Sequence, residues 1–82
     1  MRNIAFTEIA FEDYAYFQAH NFKMLMKINN YIEVIRNDSS IKSEKFYKID
    51  IDKKHCIVYK LMNKDTVCIL SFRENYNENI LI

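Results

Sequence analysis

Apolar residues repeat at helical spacing through the first half of the chain and at strand spacing through the second. Leu25, Ile28, Ile32 and Ile35 lie three and four apart, which predicts a helix from about Asn21 to Arg36 with one apolar face. Ahead of it Ile9, Ala10, Tyr14 and Phe17 fall on one side of a first helix, with Glu12, Asp13 and Tyr16 largely on the others. Thr7 suits the N-cap of that helix and Glu8 its first turn, where a carboxylate meets the positive end of the helix dipole. Asn21 suits both the end of the first helix, near His20, and the cap of the second. The short apolar run Asn3 to Phe6 reads as a strand leading directly into this helical hairpin.

A polar stretch, Asn37 to Lys45, separates the hairpin from three strand-like runs that begin at Phe46, at His55 and near Val67. With Asn63-Lys64 as a two-residue turn, positions 59 and 68 stand opposite one another, as do 56 and 71. One face then carries Ile57, Tyr59, Leu61, Cys68, Leu70 and Phe72 and receives the helices. The other carries Cys56, Val58, Lys60, Val67, Ile69, Ser71, Arg73 and Asn75. A three-residue connection at Asp52 to Lys54 adds Phe46, Lys48 and Asp50 to it. This second face is expected to be concave and polar at its centre, the place for a ligand. The expected class is α+β, an N-terminal strand and two-helix hairpin packed on an antiparallel β-sheet.

At 82 residues there is room for one domain and a single core. Glycine and proline are both absent, so turns rely on Asn, Asp, Ser and Lys, with Asn expected wherever the backbone needs a positive φ. A formal net charge of +1 excludes RNA binding by overall charge and leaves only a local basic surface. Cys56 and Cys68 form no Cys-x-x-Cys pattern and have no His partner at zinc-ligand spacing, so free thiols in a reducing cytoplasm, no metal and no cofactor are expected. Glu8, Glu12 and Asp13 interrupt any N-terminal signal region, and no apolar run reaches membrane-spanning length.

Several short motifs carry a family resemblance. Phe6-Thr7-Glu8, Glu12-Asp13-Tyr14, Tyr16-Phe17-Gln18 and Lys27-Ile28-Asn29 resemble, in order and spacing, the aromatic-Ser/Thr-Glu, Asp-Asp-Tyr, Tyr-Trp-Gln and Lys-Ile-Asn signatures of the YoeB/Txe toxins of the RelE/ParE superfamily. Phe46-Tyr47, His55, Ile57-Val58-Tyr59 and the Arg73 and Tyr76 ending extend the likeness, so residues 1–76 read as the toxin domain and 77–82 as a C-terminal extension with an apolar Ile80-Leu81-Ile82 tip. The resemblance implies a metal-independent endonuclease that cuts mRNA on translating ribosomes and is silenced by a cognate antitoxin. A homodimer is also implied.

Carried over position by position, the family's chemistry is mostly missing. Its base, acid and charge-stabilising roles belong to a Glu and a Lys in a Gly/Pro-rich loop, two sheet arginines and a C-terminal His-Tyr pair. Here the loop is shortened, and only Glu44 or Lys45 stand near the first two. The arginines correspond to Asp50 and Cys56, and the histidine to Asn75. Asn75 exchanges no proton near neutral pH, and replacing two guanidiniums by a carboxylate and a thiol removes positive charge from a phosphodiester site. Arg73 and Tyr76 remain. The implied nuclease is therefore expected to be impaired or lost.

The candidate catalytic set is Tyr76, Arg73, Glu44 and Lys45, with Lys48, Lys60 and Arg73 as RNA contacts. Each has a plainer reading. Lys42, Lys45, Lys48, Lys53, Lys54 and Lys60 suit a solvated edge that discourages strand pairing as well as a patch for ribosomal RNA. His55 suits the turn it starts from, and Cys56 has only Lys48 or Arg73 to favour a thiolate. Three roles follow from the resemblance: a ribosome-dependent nuclease using substitute residues, an antitoxin-binding decoy or remnant without catalysis, and a ParE-like gyrase inhibitor.

Overall fold

A computed structural model describes residues 1–73 of the chain. Over them the elements run β1 (Asn3–Phe6), α1 (Glu8–His20), α2 (Phe22–Arg36), β2 (Phe46–Asp50), β3 (His55–Asn63) and β4 (Thr66–Arg73). Both helix starts are capped by side chains, as expected. Thr7 Oγ1 accepts the Ala10 N–H at 3.1 Å and Asn21 Oδ1 accepts the Met24 N–H at 3.1 Å. Asn21 also closes α1, its own N–H donating to the Phe17 carbonyl at 2.8 Å. The tyrosine hydroxyl of Tyr14 donates to Asn29 Oδ1 at 2.6 Å and ties the two helices together.

The sheet has the order β1-β4-β3-β2. β2, β3 and β4 form the expected antiparallel meander, but β1 joins it parallel to β4, so the sheet is mixed. Sequence pattern gives the strand and not its neighbour, because the partner of a parallel strand lies across a long crossover. Here that crossover holds nearly the whole chain, since Ile4 pairs with Val67.

The β3–β4 register differs from the sequence expectation. Asn63 pairs with Thr66, which puts the turn at Lys64-Asp65 instead of Asn63-Lys64, and an irregularity between Leu61 and Asn63 then leaves the pairs from Leu61 to Tyr59 one residue off the expected register. Lys60 faces Cys68 and Tyr59 faces Ile69. A one-residue slip moves each side chain to the other face, so Val67 and Ile69 join Ile57 and Tyr59 in the core under the helices, while Cys68 and Leu70 join Cys56 and Val58 on the far side. Phe72 nonetheless returns to the helix side. The reason is a bulge: Ile69 pairs with Tyr59 and Ser71 with Val58, leaving Leu70 as the extra residue. Its carbonyl accepts the Thr7 hydroxyl at 2.8 Å, so a bulged strand and a helix cap satisfy one another.

On the helix side, Met24, Leu25, Ile28, Ile32 and Ile35 of α2 meet Ala10 and Phe17 of α1 over Ile57, Tyr59, Val67, Ile69 and Phe72. Ile9, expected to share that face, is 40% exposed. Ile41, from the polar connection between α2 and β2, is buried in the same core, and the Tyr47 hydroxyl accepts the Lys42 N–H at 2.9 Å. The shortened loop is thus anchored at its middle. Among the described residues its one backbone with positive φ falls at Glu44, at 69°, where Asn was expected.

Candidate functional site

The second face of the sheet is built from alternate residues of three strands. Asp50 stands directly opposite Cys56, Lys48 opposite Val58 and Phe46 opposite Lys60, as the sequence reading has it for β2. Its centre departs from expectation. Cys56, Val58, Cys68 and Leu70 form a buried apolar cluster where a polar centre was expected, because the register shift exchanged Val67 and Ile69 for Cys68 and Leu70. Burial pushes the Cys68 thiol above its ordinary pKa, with Lys60 acting weakly the other way, which keeps it protonated and unreactive at neutral pH.

Charge on this face is confined to the β2 side and is already engaged. Lys48 Nζ lies 3.4 Å from Asp50 Oδ1. Lys60 Nζ sits 5.5 Å from the centre of the Phe46 ring, a cation–π contact. Glu44 and Lys45 are exposed and precede β2 at the end of the sheet where Phe46 meets Lys60.

Arg73 is at the other end. It pairs with His55 in the β3–β4 ladder, and five residues of β3 separate that point from Lys60, about 17 Å at strand rise. The structure therefore sets Arg73 well apart from Glu44 and Lys45. Nor does its guanidinium lie on the second face. Its Nε and Nη2 donate to the two carboxylate oxygens of Asp13 on α1, at 3.0 and 2.9 Å, a bidentate pair that raises the Arg73 pKa further, first through the hydrogen bonds and then through the charge of Asp13. From sequence, Asp13 belongs on an outward side of the first helix. Instead its side chain is only 16% exposed, and no local pattern announces a partner sixty positions on. Tyr76 and Asn75, the other C-terminal candidates, and the 77–82 extension lie outside the described residues.

This ion pair lines a cleft of about 430 Å³ beside the middle of α1. Phe17, Phe72 and His55 line its inner part, and Glu12 and Tyr16 line its rim. The His55 ring meets Phe17 edge to face, 5.5 Å between centres, and its Nδ1 lies 3.1 Å from Asp52 Oδ1. The same oxygen accepts the backbone N–H groups of Lys54 and His55, each at 2.8 Å. These bonds, the Lys54 N–H foremost, hold the Asp52 carboxyl below its usual pKa. His55 is thus built into the β2–β3 turn and the underside of α1.

The arrangement gives the second face two lysines, one carboxylate and a buried thiol pair, and sends the chain's nearest arginine and imidazole to the helix side. No family model matches the chain. A curated relative, Toxin YoeB of Synechocystis, is 31% identical over 83 residues, covering 89% of this chain and 95% of the relative. The chain belongs to the YoeB toxin family. Its fold is the YoeB fold as well. The YoeB dimer from Staphylococcus aureus superposes with a TM-score of 0.77 at 30% identity, covering 92% of this chain and 98% of that one. The heterotetrameric YoeB-YefM toxin-antitoxin complex from the same organism gives 0.73 at 31%, covering 93% and 99%. A YoeB/ParE toxin from Agrobacterium tumefaciens, 19% identical over 90% of this chain and 99% of its own, shares the fold at 0.74. Asp50 and Cys56, named in the sequence reading, stand directly opposed on neighbouring strands.

Proposed function

We propose that this YoeB-family chain is the toxin of a type II toxin–antitoxin pair, held by a YefM-like antitoxin, and that its ribosome-dependent mRNA cleavage is impaired or lost. The observation that carries the second part is the makeup of the second sheet face. Among the described residues it presents no guanidinium and no imidazole, and it places a carboxylate, Asp50, across from a buried thiol, Cys56.

Cleavage through the 2′-hydroxyl builds negative charge on the phosphorus and needs both a proton acceptor and a donor. Lys48 and Lys60 supply charge but are partnered by Asp50 and the Phe46 ring. Arg73, the third candidate RNA contact, has the edge that would grip a phosphate occupied by Asp13. Glu44 and Lys45 stand at the opposite end of the sheet from it. Tyr76 completes the candidate set from the C-terminal segment. The partners implied by the Staphylococcus aureus relatives are an antitoxin and a second copy of the chain, in the cytoplasm where translating ribosomes are; no helix among the described residues is long and apolar enough to cross a membrane.

The test is cleavage of a defined mRNA on purified translating ribosomes, mapped by primer extension beside an active YoeB. Cuts at least about 10²-fold slower than those of the active relative are expected, the usual scale for losing a preorganised charge stabiliser. Ribosome-dependent cuts at a comparable rate would overturn the impairment, and Glu44→Ala, Lys45→Ala and Arg73→Ala would then locate the replacement chemistry.

A further inference from the structure

α2 turns Leu25, Ile28, Ile32 and Ile35 into the core, and a solvent-facing helix ordinarily offers polar residues on its other side. This one does not. Phe22, Met26 and Val34 run along its outer face at spacings of four and eight and are 66%, 53% and 64% exposed. Asn30 fills the position between the last two. Lys23 and Glu33, both exposed, flank this stripe near its two ends.

The charges are reversed relative to their own helix. Lys23 stands in the first turn of α2, which has no acidic residue, and Glu33 in the last, whereas the helix dipole favours an anion at the start and a cation at the end. Arg36 partly compensates Glu33 through a contact of 3.2 Å to Oε1. An antiparallel helix laid on this face with the same sequence corrects both ends, because it brings a glutamate to the start of α2 and a lysine to its end.

We propose that the outer face of α2 is a homodimer interface, in which α2 packs antiparallel against α2 of a second copy about a twofold axis level with Ile28. Residues equally far from Ile28 then meet at the same height. Phe22 meets Val34 of the second copy, Met26 meets Asn30, and Lys23 meets Glu33, each contact occurring twice as a twofold interface requires. This inference rests on the dimer reading above and assigns it a surface. One helix from each copy buries less than the about 1,600 Å² of a standard interface, so association in the micromolar range is expected.

Sedimentation equilibrium of the full chain over micromolar concentrations tests it. A monomer–dimer equilibrium is expected, with Met26→Glu monomeric throughout. Lys23→Glu and Glu33→Lys each weaken the dimer by roughly tenfold, and the double reversal restores it to within about threefold, because the pair is re-formed with its signs exchanged. All three positions are exposed, and circular dichroism confirms that each variant is folded. A dimer indifferent to Met26→Glu, or weakened further by the double reversal, overturns this surface and leaves the dimer reading intact. A wild-type chain that stays monomeric throughout overturns both, without touching the toxin–antitoxin reading.

Discussion

Glu44 and Asp52 each hold a local conformation that another side chain would change in a measurable way. Glu44 adopts φ 69°, a left-handed backbone that costs a non-glycine residue about 1–2 kcal/mol. Asn tolerates that region better, so Glu44→Asn is expected to stabilise the fold by roughly 0.5–1 kcal/mol, read as a higher urea midpoint at unchanged slope. The same variant removes a candidate catalytic carboxylate, which makes stability and cleavage separable at one position. Asp52 acts through pH. Its folded-state pKa lies below the unfolded value, owing first to the Lys54 N–H and then to His55. The stability it contributes is therefore complete above the unfolded carboxyl pKa of about 3.9 and is lost as pH falls through the lower folded value. Asp38, held down by the Ser40 hydroxyl and N–H, titrates the same way. In urea titrations from neutral to acid pH, the gap between wild type and Asp52→Asn is expected to hold down to about pH 4 and close below it. At this scale the sequence announces residue types but not their company: Asp13 and Arg73 are legible as charges, and their union depends on where α1 crosses the end of β4.

Helices and strands differ in how much of them the sequence discloses. The helix limits are readable because caps are local: Thr7 and Asn21 act within three residues of themselves. Asn21 closes one helix and opens the next, so Asn21→Ala removes the side-chain cap of α2 at a cost of about 1 kcal/mol. In a domain of this size that lowers the melting temperature by roughly 4–8 °C, and circular dichroism melting measures it. Strand faces are less readable because they hang on register. The turn at Lys64-Asp65 keeps the expected faces by itself, and the irregularity between Leu61 and Asn63 reverses which of Val67 to Leu70 look inward; nothing in the tetrad distinguishes the options, since all four are apolar. The bulge at Leu70 then undoes the reversal before Phe72. The hydroxyl that satisfies the bulged Leu70 carbonyl, that of Thr7, lies sixty-three positions away. The candidate site inherits this: its β2 and β3 residues were placed by pattern, and its β4 residues were not.

The molecule as a whole keeps the frame of the YoeB family, and the proposed loss of nuclease chemistry falls on its sheet. A frame can be kept independently of its chemistry because the core positions, Ile28, Ile35, Ile57, Val67, Ile69 and Phe72, are each nearly or fully buried, whereas Asp50 and Lys48 sit at an exposed strand where substitution costs little stability. The order of strands has a further effect, on the making of the protein. β4 lies between β1 and β3, so the first strand to be synthesised waits for residues beyond Thr66 before it has a neighbour. Until then α1 and α2 have no surface to cover, and isolated helices of their length are marginal in water. Contacts so distant in sequence also close slowly. Folding thus waits for β4 to be made, and the nascent chain passes through an interval in which a protease or a binding partner meets it before the sheet exists.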